Sequence, residues 1–145
     1  MSHPSLVDIG AYINGKNLPL PPSAESVGER TSGAMDVSQY KSAVLIAFTG
    51  AATGAPSALS VTHTVQSRLE GSNAWVNVTD PDGNVPQVKV EAANTVAELD
   101  INLMWLPEDH SEIRIVEDTA FTGGTNPTVV GGAVLVLGGA SRLPI

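Results

Sequence analysis

The residues able to do chemistry are few and scattered. Three histidines are present. His63 lies between Val61 and Val65 in an alternating run, so its imidazole shares the apolar face of a strand, the usual setting of a hydrogen-bonded core or interface histidine. His110 follows Glu108 and Asp109, which resembles a metal shell in composition. Neighbouring side chains on extended backbone point apart, so one ion would need the loop to curl, and the spacing predicts a solvated loop instead. His3 lies in the terminal segment. No G-x-S-x-G elbow or other nucleophile motif supports a Ser-His-Asp set. Gly123-Gly124 opens no helix, and no phosphate-binding G-x-x-x-x-G-K-[ST] occurs. Asp80-Pro81-Asp82-Gly83-Asn84 offers three oxygen-bearing side chains, but no carboxylate follows at the spacing that closes a calcium loop. Pro and Asp-Gly there predict a chain reversal. The expectation is a protein that is not an enzyme and needs no metal and no cofactor.

Trp75 and Trp105 could form a sugar-stacking platform if exposed, or plug a core or an interface if buried. Trp75 precedes the alternating Val76-Asn77-Val78, which predicts a strand start with the indole packed. Core or interface is the expectation for both.

The stretch Asp36–Asp80 organises the elements that must position these residues. Ser42–Thr49 is dense in Val, Leu, Ile and Phe without alternation, which predicts a strand covered on both faces. Leu59–Gln66 alternates Leu59, Val61, His63, Val65 against Ser60, Thr62, Thr64, Gln66, a strand with one dry face. A loop over Gly50–Ser57 and a turn at Glu70–Asn73 punctuate them. Further strands are predicted at Trp75–Thr79, at Val85–Val90 as an edge, at Val96–Leu103, at Glu112–Asp118 and at Val129–Leu137. In the last, Gly131 and Gly132 predict a bulge or a close backbone approach. Ser23–Thr31 reads as a weak edge strand. Seven or eight short strands without an amphipathic helix predict an all-β, antiparallel β-sandwich, jelly-roll-like, since nothing supplies the helical crossovers of parallel pairing. The expected core is Val44, Leu45, Ile46, Phe48, Leu59, Val61, Val65, Leu99, Ile101, Leu103, Ile113, Ile115, Val134 and Val136. Leu99→Ala is expected to cost about 2–5 kcal/mol.

Residues 1–22 stand apart. Leu18-Pro19-Leu20-Pro21-Pro22 is predicted extended, because proline fixes its own φ and restricts its predecessor. A disordered tail and an arm laid on a neighbouring subunit are the two readings of this segment, and the apolar residues between the prolines slightly favour the arm, followed by a sandwich domain at 23–145. Candidate inter-subunit contacts are Tyr12, Leu18, Pro19, Leu20 and Trp105. Deleting Met1–Pro22 is then expected to leave a folded sandwich.

The 145 residues fit one domain able to bury about two thirds of its unfolded surface. Cysteine is absent, which excludes disulfides and thiolate metal sites. Lys and Arg number 7 against 15 Asp and Glu, a formal net charge of −8. That balance argues against nucleic acid and anionic membranes as partners. No run of 18 apolar residues and no basic-then-apolar start is found, so a soluble, unprocessed chain is expected.

The order of motifs resembles a family of small tailed-bacteriophage virion proteins encoded near the major capsid protein. That family follows a strand with a Q-x-S-x-D-G-S-x-W-x-D-V hairpin, an R-Y-x-R-V strand and a closing V-x-L-G-G strand. Here the hairpin reads Gln66-Ser67-Arg68-Leu69-Glu70-Gly71-Ser72-Asn73-Ala74-Trp75-Val76-Asn77-Val78. The later strand reads Ser111-Glu112-Ile113-Arg114-Ile115, and the close Leu135-Val136-Leu137-Gly138-Gly139. The likeness spans about Met35–Ala140 and departs at Ser111 and Glu112 and across the longer Met104–His110 connection. The resemblance implies a capsid decoration or cement protein, made in the bacterial host cytoplasm. It would bind the major capsid protein on the outer surface of an icosahedral head, as a homo-oligomer and most often a trimer. The contrasting expectation is a carbohydrate-binding or adhesin sandwich on a virion or cell surface, marked by both tryptophans exposed on one face.

Overall fold

The computed structural model describes residues 8–140. Ten strands lie among them: β1 (Ile13–Glu25), β2 (Gly28–Thr31), β3 (Met35–Asp36), β4 (Ser42–Thr53), β5 (Ala58–Leu69), β6 (Val76–Asn77), β7 (Gln87–Val90), β8 (Val96–Asn102), β9 (His110–Thr122) and β10 (Thr128–Gly138). All pairing is antiparallel. Sheet A has the order β1-β10-β4-β8. Sheet B has β2-β9-β5-β6, with β3 on β9 and β7 on β5. The order is that of a long hairpin rolled up: β1 pairs β10, β2 pairs β9, β4 pairs β8 and β5 pairs β7. Rolling then brings β4 against β10 and β5 against β9, which makes the two-sheet sandwich a jelly roll.

Side-chain parity fixes the core between the sheets. Sheet A turns Ala43, Leu45, Ala47, Ala133, Leu135, Leu137 and Ile101 inward, and sheet B turns Val61, Val65, Val88, Val90, Ile113 and Ile115 inward, all buried. Small alanines on one sheet face branched residues on the other, which lets the layers interdigitate. Leu99 is half-buried against this cluster.

Three sequence expectations change. Of the arm expected over 1–22, residues 1–7 lie outside the described residues and Ile9–Ala11 form a 3-10 turn, while Leu18–Pro22 is extended as predicted but belongs to β1, which from Ile13 is an edge strand of sheet A paired with β10. Its prolines fit because an edge strand need not donate along its outer side, and the register slips at Asn14/Asn17, Asn17/Leu20 and Leu20/Ser23 absorb them. The boundary at 22/23 therefore falls inside a strand, and Leu20, 1% exposed, belongs to this chain's own core. His110, expected in a solvated loop, opens β9, and Ser67 Oγ lies 2.8 Å from its Nδ1. Finally, Val44, Ile46, Phe48, Val134 and Val136, expected in the core, are only half-buried, because they occupy the outward parity of β4 and β10.

Candidate assembly face and the polar core beneath it

β4 and β10 are the two inner strands of sheet A, and both are apolar on both sides. Their inward residues fill the core. Their outward residues stand beside one another, Val44 opposite Val136 and Ile46 opposite Val134. Phe48 lies opposite Gly132, where a Cβ would sit 2.5 Å from Phe48 Cζ and 2.9 Å from Leu20 O. The ring therefore lies flat across a position that only glycine can occupy. The expectation of a bulge or a close backbone approach at Gly131-Gly132 is met: pairing with β4 slips between Val129 and Gly131, and the β1 carbonyl of Leu20 lies against Gly132. On the other face of the strand, a Cβ at Gly131 would sit 3.1 Å from Glu117 Oε2. Val96, 65% exposed, extends the strip onto β8 next to Phe48. Among the described residues nothing covers this strip. β4, predicted to be dry on both faces, is covered by its own chain on one.

Polar residues rim the strip. Glu98 and Asp100 alternate outward on β8, opposite Ile46 and Val44. On the other edge, β1 carries the exposed Lys16. The outer face of sheet B has a different character, with Thr62, Thr64, Gln66 and Arg114 at its outward positions.

The expected contact residues divide. Leu18, 54% exposed, and the half-buried Pro19 lie on β1, and Tyr12 is half-buried just before it. Leu20 is closed into the core, and Trp105 packs against the core cluster at the end of the 3-10 turn Leu103–Trp105. Both of those are turned to their own chain. Trp75 is half-buried on sheet B, with the guanidinium carbons of Arg68 and Arg114 each 4.5 Å from its ring centroid. Arg68 also donates to Glu112 Oε1 at 3.1 Å, and Arg114 to Gln66 Oε1 at 2.8 Å. The indole is thus held by cation–π contacts outside the core cluster. The two tryptophans do not make a shared exposed platform.

Beneath the strip runs a polar row of which periodicity singled out His63 alone. His63, Glu117 and Arg30 stand in register on β5, β9 and β2. Parity offered a clue: Ile113, Ile115, Glu117 and Thr119 share one face, so a carboxylate had to enter the core. His63 Nε2 donates to Glu117 Oε2 at 3.0 Å, since an ionised carboxylate only accepts. Arg30 donates from Nε to Glu117 Oε1 at 3.1 Å and from Nη2 to Oε2 at 3.3 Å. It also reaches sheet A through Pro21 O at 2.9 Å and Gly131 O at 3.0 Å, with Glu25 Oε1 3.2 Å from its Nε. Arg30 therefore bolts the two sheets together at the β1–β2 side. Burial pushes the Glu117 carboxyl up, but the hydrogen bonds from His63 and Arg30 and the Arg30 charge outweigh it and hold the group below its ordinary value.

As chemistry this row is closed. His63 and Glu117 are 0% and 1% exposed. Ser67, which faces His110, is itself buried, so its hydroxyl is shut off from a substrate. Ser67 and His63 are four residues apart on β5, about 13 Å, so the two histidine contacts remain separate. At the Asp80–Asn84 turn, Asp80 Oδ1 accepts from Asp82 N at 3.0 Å and Asn84 N at 2.9 Å, so this carboxylate closes the turn. Among the described residues no group of three or more His, Asp or Glu is placed to hold a metal ion, and no helix is long and apolar enough to cross a membrane.

No protein-family model matches the chain, and no curated protein matches it.

Proposed function

We propose that this protein is a structural virion subunit, a decoration or cement protein that binds the major capsid protein on the outside of an icosahedral phage head and braces the shell by bridging capsomers. The observation that carries this reading is the apolar strip on the outer face of sheet A, which the described residues leave open and which marks a subunit built to assemble. A surface of Val, Ile and Phe on the two inner strands of a sheet favours assembly. Support also comes from the motif order over about Met35–Ala140 and from a sandwich whose polar core is sealed from solvent. Many copies on a symmetric lattice would bind with avidity, so each contact can be weak. The net charge of −8 suits a subunit that keeps clear of packaged DNA. A jelly roll by itself assigns no function.

The test mixes the purified protein with genome-filled heads stripped of decoration. Saturable co-sedimentation at a stoichiometry set by the capsid lattice, with a raised temperature of head rupture, is the expected result. Failure to bind, or binding that leaves rupture unchanged, overturns the reading.

A further inference from the structure

We infer that two copies of this chain pair through the outer face of sheet A, sheet against sheet, about a two-fold axis running along the strands between β10 and β4. Three observations point to a second copy.

The first is symmetry of the strip. Val44, Ile46, Val134 and Val136 lie in two matched rows, Val44 level with Val136 and Ile46 with Val134. Rotation about an axis between those rows lays β10 of each copy over β4 of the other, so the face meets its own pattern. An isologous contact requires such self-complementarity.

The second is charge. The same rotation carries β1 of each copy over β8 of its partner and leaves every residue at its level along the strands. Asp100 is level with Val44, and Val44 with Val136. Asn17 pairs with Leu135, which sets Lys16 beside the level of Val136. Lys16 of one copy therefore comes to the level of Asp100 of the other, at both rims. Neither residue has an ion-pair partner among the described residues.

The third is size. Four strands at about 4.8 Å spacing, over ten paired residues at about 3.3 Å, give a face of about 600 Å². That approaches the roughly 800 Å² per partner of a standard stable interface. Phe48 is half-buried with its ring against Gly132, which fits two sheets at the usual separation of about 10 Å. The outer face of sheet B, with its threonines, Gln66 and Arg114, offers no comparable surface.

Pairing stands on this geometry and not on the shell-binding proposal; it gives the strip to a second copy, so that a paired subunit meets the shell through another face, and its test needs no phage heads. Sedimentation equilibrium of the full chain, from low to high micromolar concentration, should give a mass rising to twice the 14.9 kDa of one chain. Ile46→Lys and Val134→Lys should each return it to one chain, with an unchanged far-ultraviolet spectrum. Thr64→Lys, on the outer face of sheet B, should leave the doubled mass. Lys16→Glu, at an exposed rim that no core contact depends on, should weaken pairing about tenfold at low salt, and adding Asp100→Lys should restore it. A one-chain mass at every concentration overturns the inference, which would leave the strip to the capsid protein. So does a three-chain mass, or a two-chain mass that survives both Ile46→Lys and Lys16→Glu.

Discussion

His63 and Glu117 face each other across β5 and β9 with Nε2 3.0 Å from Oε2, and neither is open to solvent. Arg30 completes the row from β2 and reaches across to backbone carbonyls of β1 and β10. An ion pair in such a place stabilises little relative to a well-packed apolar core. Removing one member leaves an uncompensated charge in the interior.

Glu117→Ala is accordingly expected to destabilise the fold by about 3–5 kcal/mol, because His63 loses its acceptor in the interior and Arg30 keeps only Glu25 and two backbone carbonyls as partners. Urea denaturation at neutral pH measures it. A loss under about 1 kcal/mol, the scale of an exposed pair, would show that the row contributes no more than a surface salt bridge.

Acid should weaken the sandwich through the same carboxylate. The Glu117 carboxyl is held below its ordinary value in the folded chain. Its contribution is therefore complete above the unfolded value and is lost as pH falls through the folded one. Stability measured from neutral pH down through the carboxylate range should fall, and the slope should be shallower in Glu117→Gln. Equal slopes in the two proteins would remove Glu117 as the cause. Asp36, lowered by the hydrogen bonds it accepts from Ser38, is exposed and adds only a minor part.

Leu45 and Ile46 are neighbours in sequence with opposite tasks. Leu45 is 0% exposed in the core, whereas Ile46 lies on the outer face. Leu45→Ala is expected to cost about 2–5 kcal/mol in the isolated chain. Ile46→Ala should cost well under half as much under conditions where the chain is monomeric. Equal losses in denaturation experiments at low protein concentration would mean that the two faces are not distinguished as described.

Gly132→Ala places a methyl 2.9 Å from Leu20 O and 2.5 Å from Phe48 Cζ. Phe48 can swing away, but the β1 backbone cannot without loosening its pairing. The expected loss is about 1–3 kcal/mol, as for overpacking elsewhere. Phe48→Ala in the same chain should recover only part of it. Full recovery would show that the β1 carbonyl is not the obstacle.

Deleting residues 1–22 is now expected to unfold or severely weaken the domain. The cut removes most of β1, uncovers the edge of β10 and takes Leu20 out of the core. It also removes Pro21 O, an acceptor for Arg30. A truncated chain with wild-type thermal stability would restore the picture of a separate arm.

Much of the architecture was legible in the chain because strand periodicity is local. Leu59–Gln66 announced one dry face, and β5 has Val61, His63 and Val65 buried on that face, whereas Leu59, also expected in the core, is half-buried near the start of the strand. His63 is expected in a hydrogen-bonded core or interface position and is found in the core, but its partner lies 54 residues away. Pairing distant strands is a long-range event that no window of sequence contains. Glu117 and Arg30 therefore could not be joined to His63 before the register of three strands was known. The N-terminal segment misled for a related reason. Prolines and extended backbone describe an arm and an edge strand equally well, and only the pairing with β10 separates them.

The amino-acid sequence by itself determined an all-β chain, the approximate strands, a two-sided apolar β4 and a glycine pair marking a bulge or a close approach. These depend on side-chain parity and backbone sterics within a few residues. Tertiary structure alone decided which side of β4 faces the core, since a strand apolar on both faces carries no label for inside. That choice follows from rolling β4 between β10 and β8, with alanines inward where the opposing sheet comes close and Val44, Ile46 and Phe48 left outward.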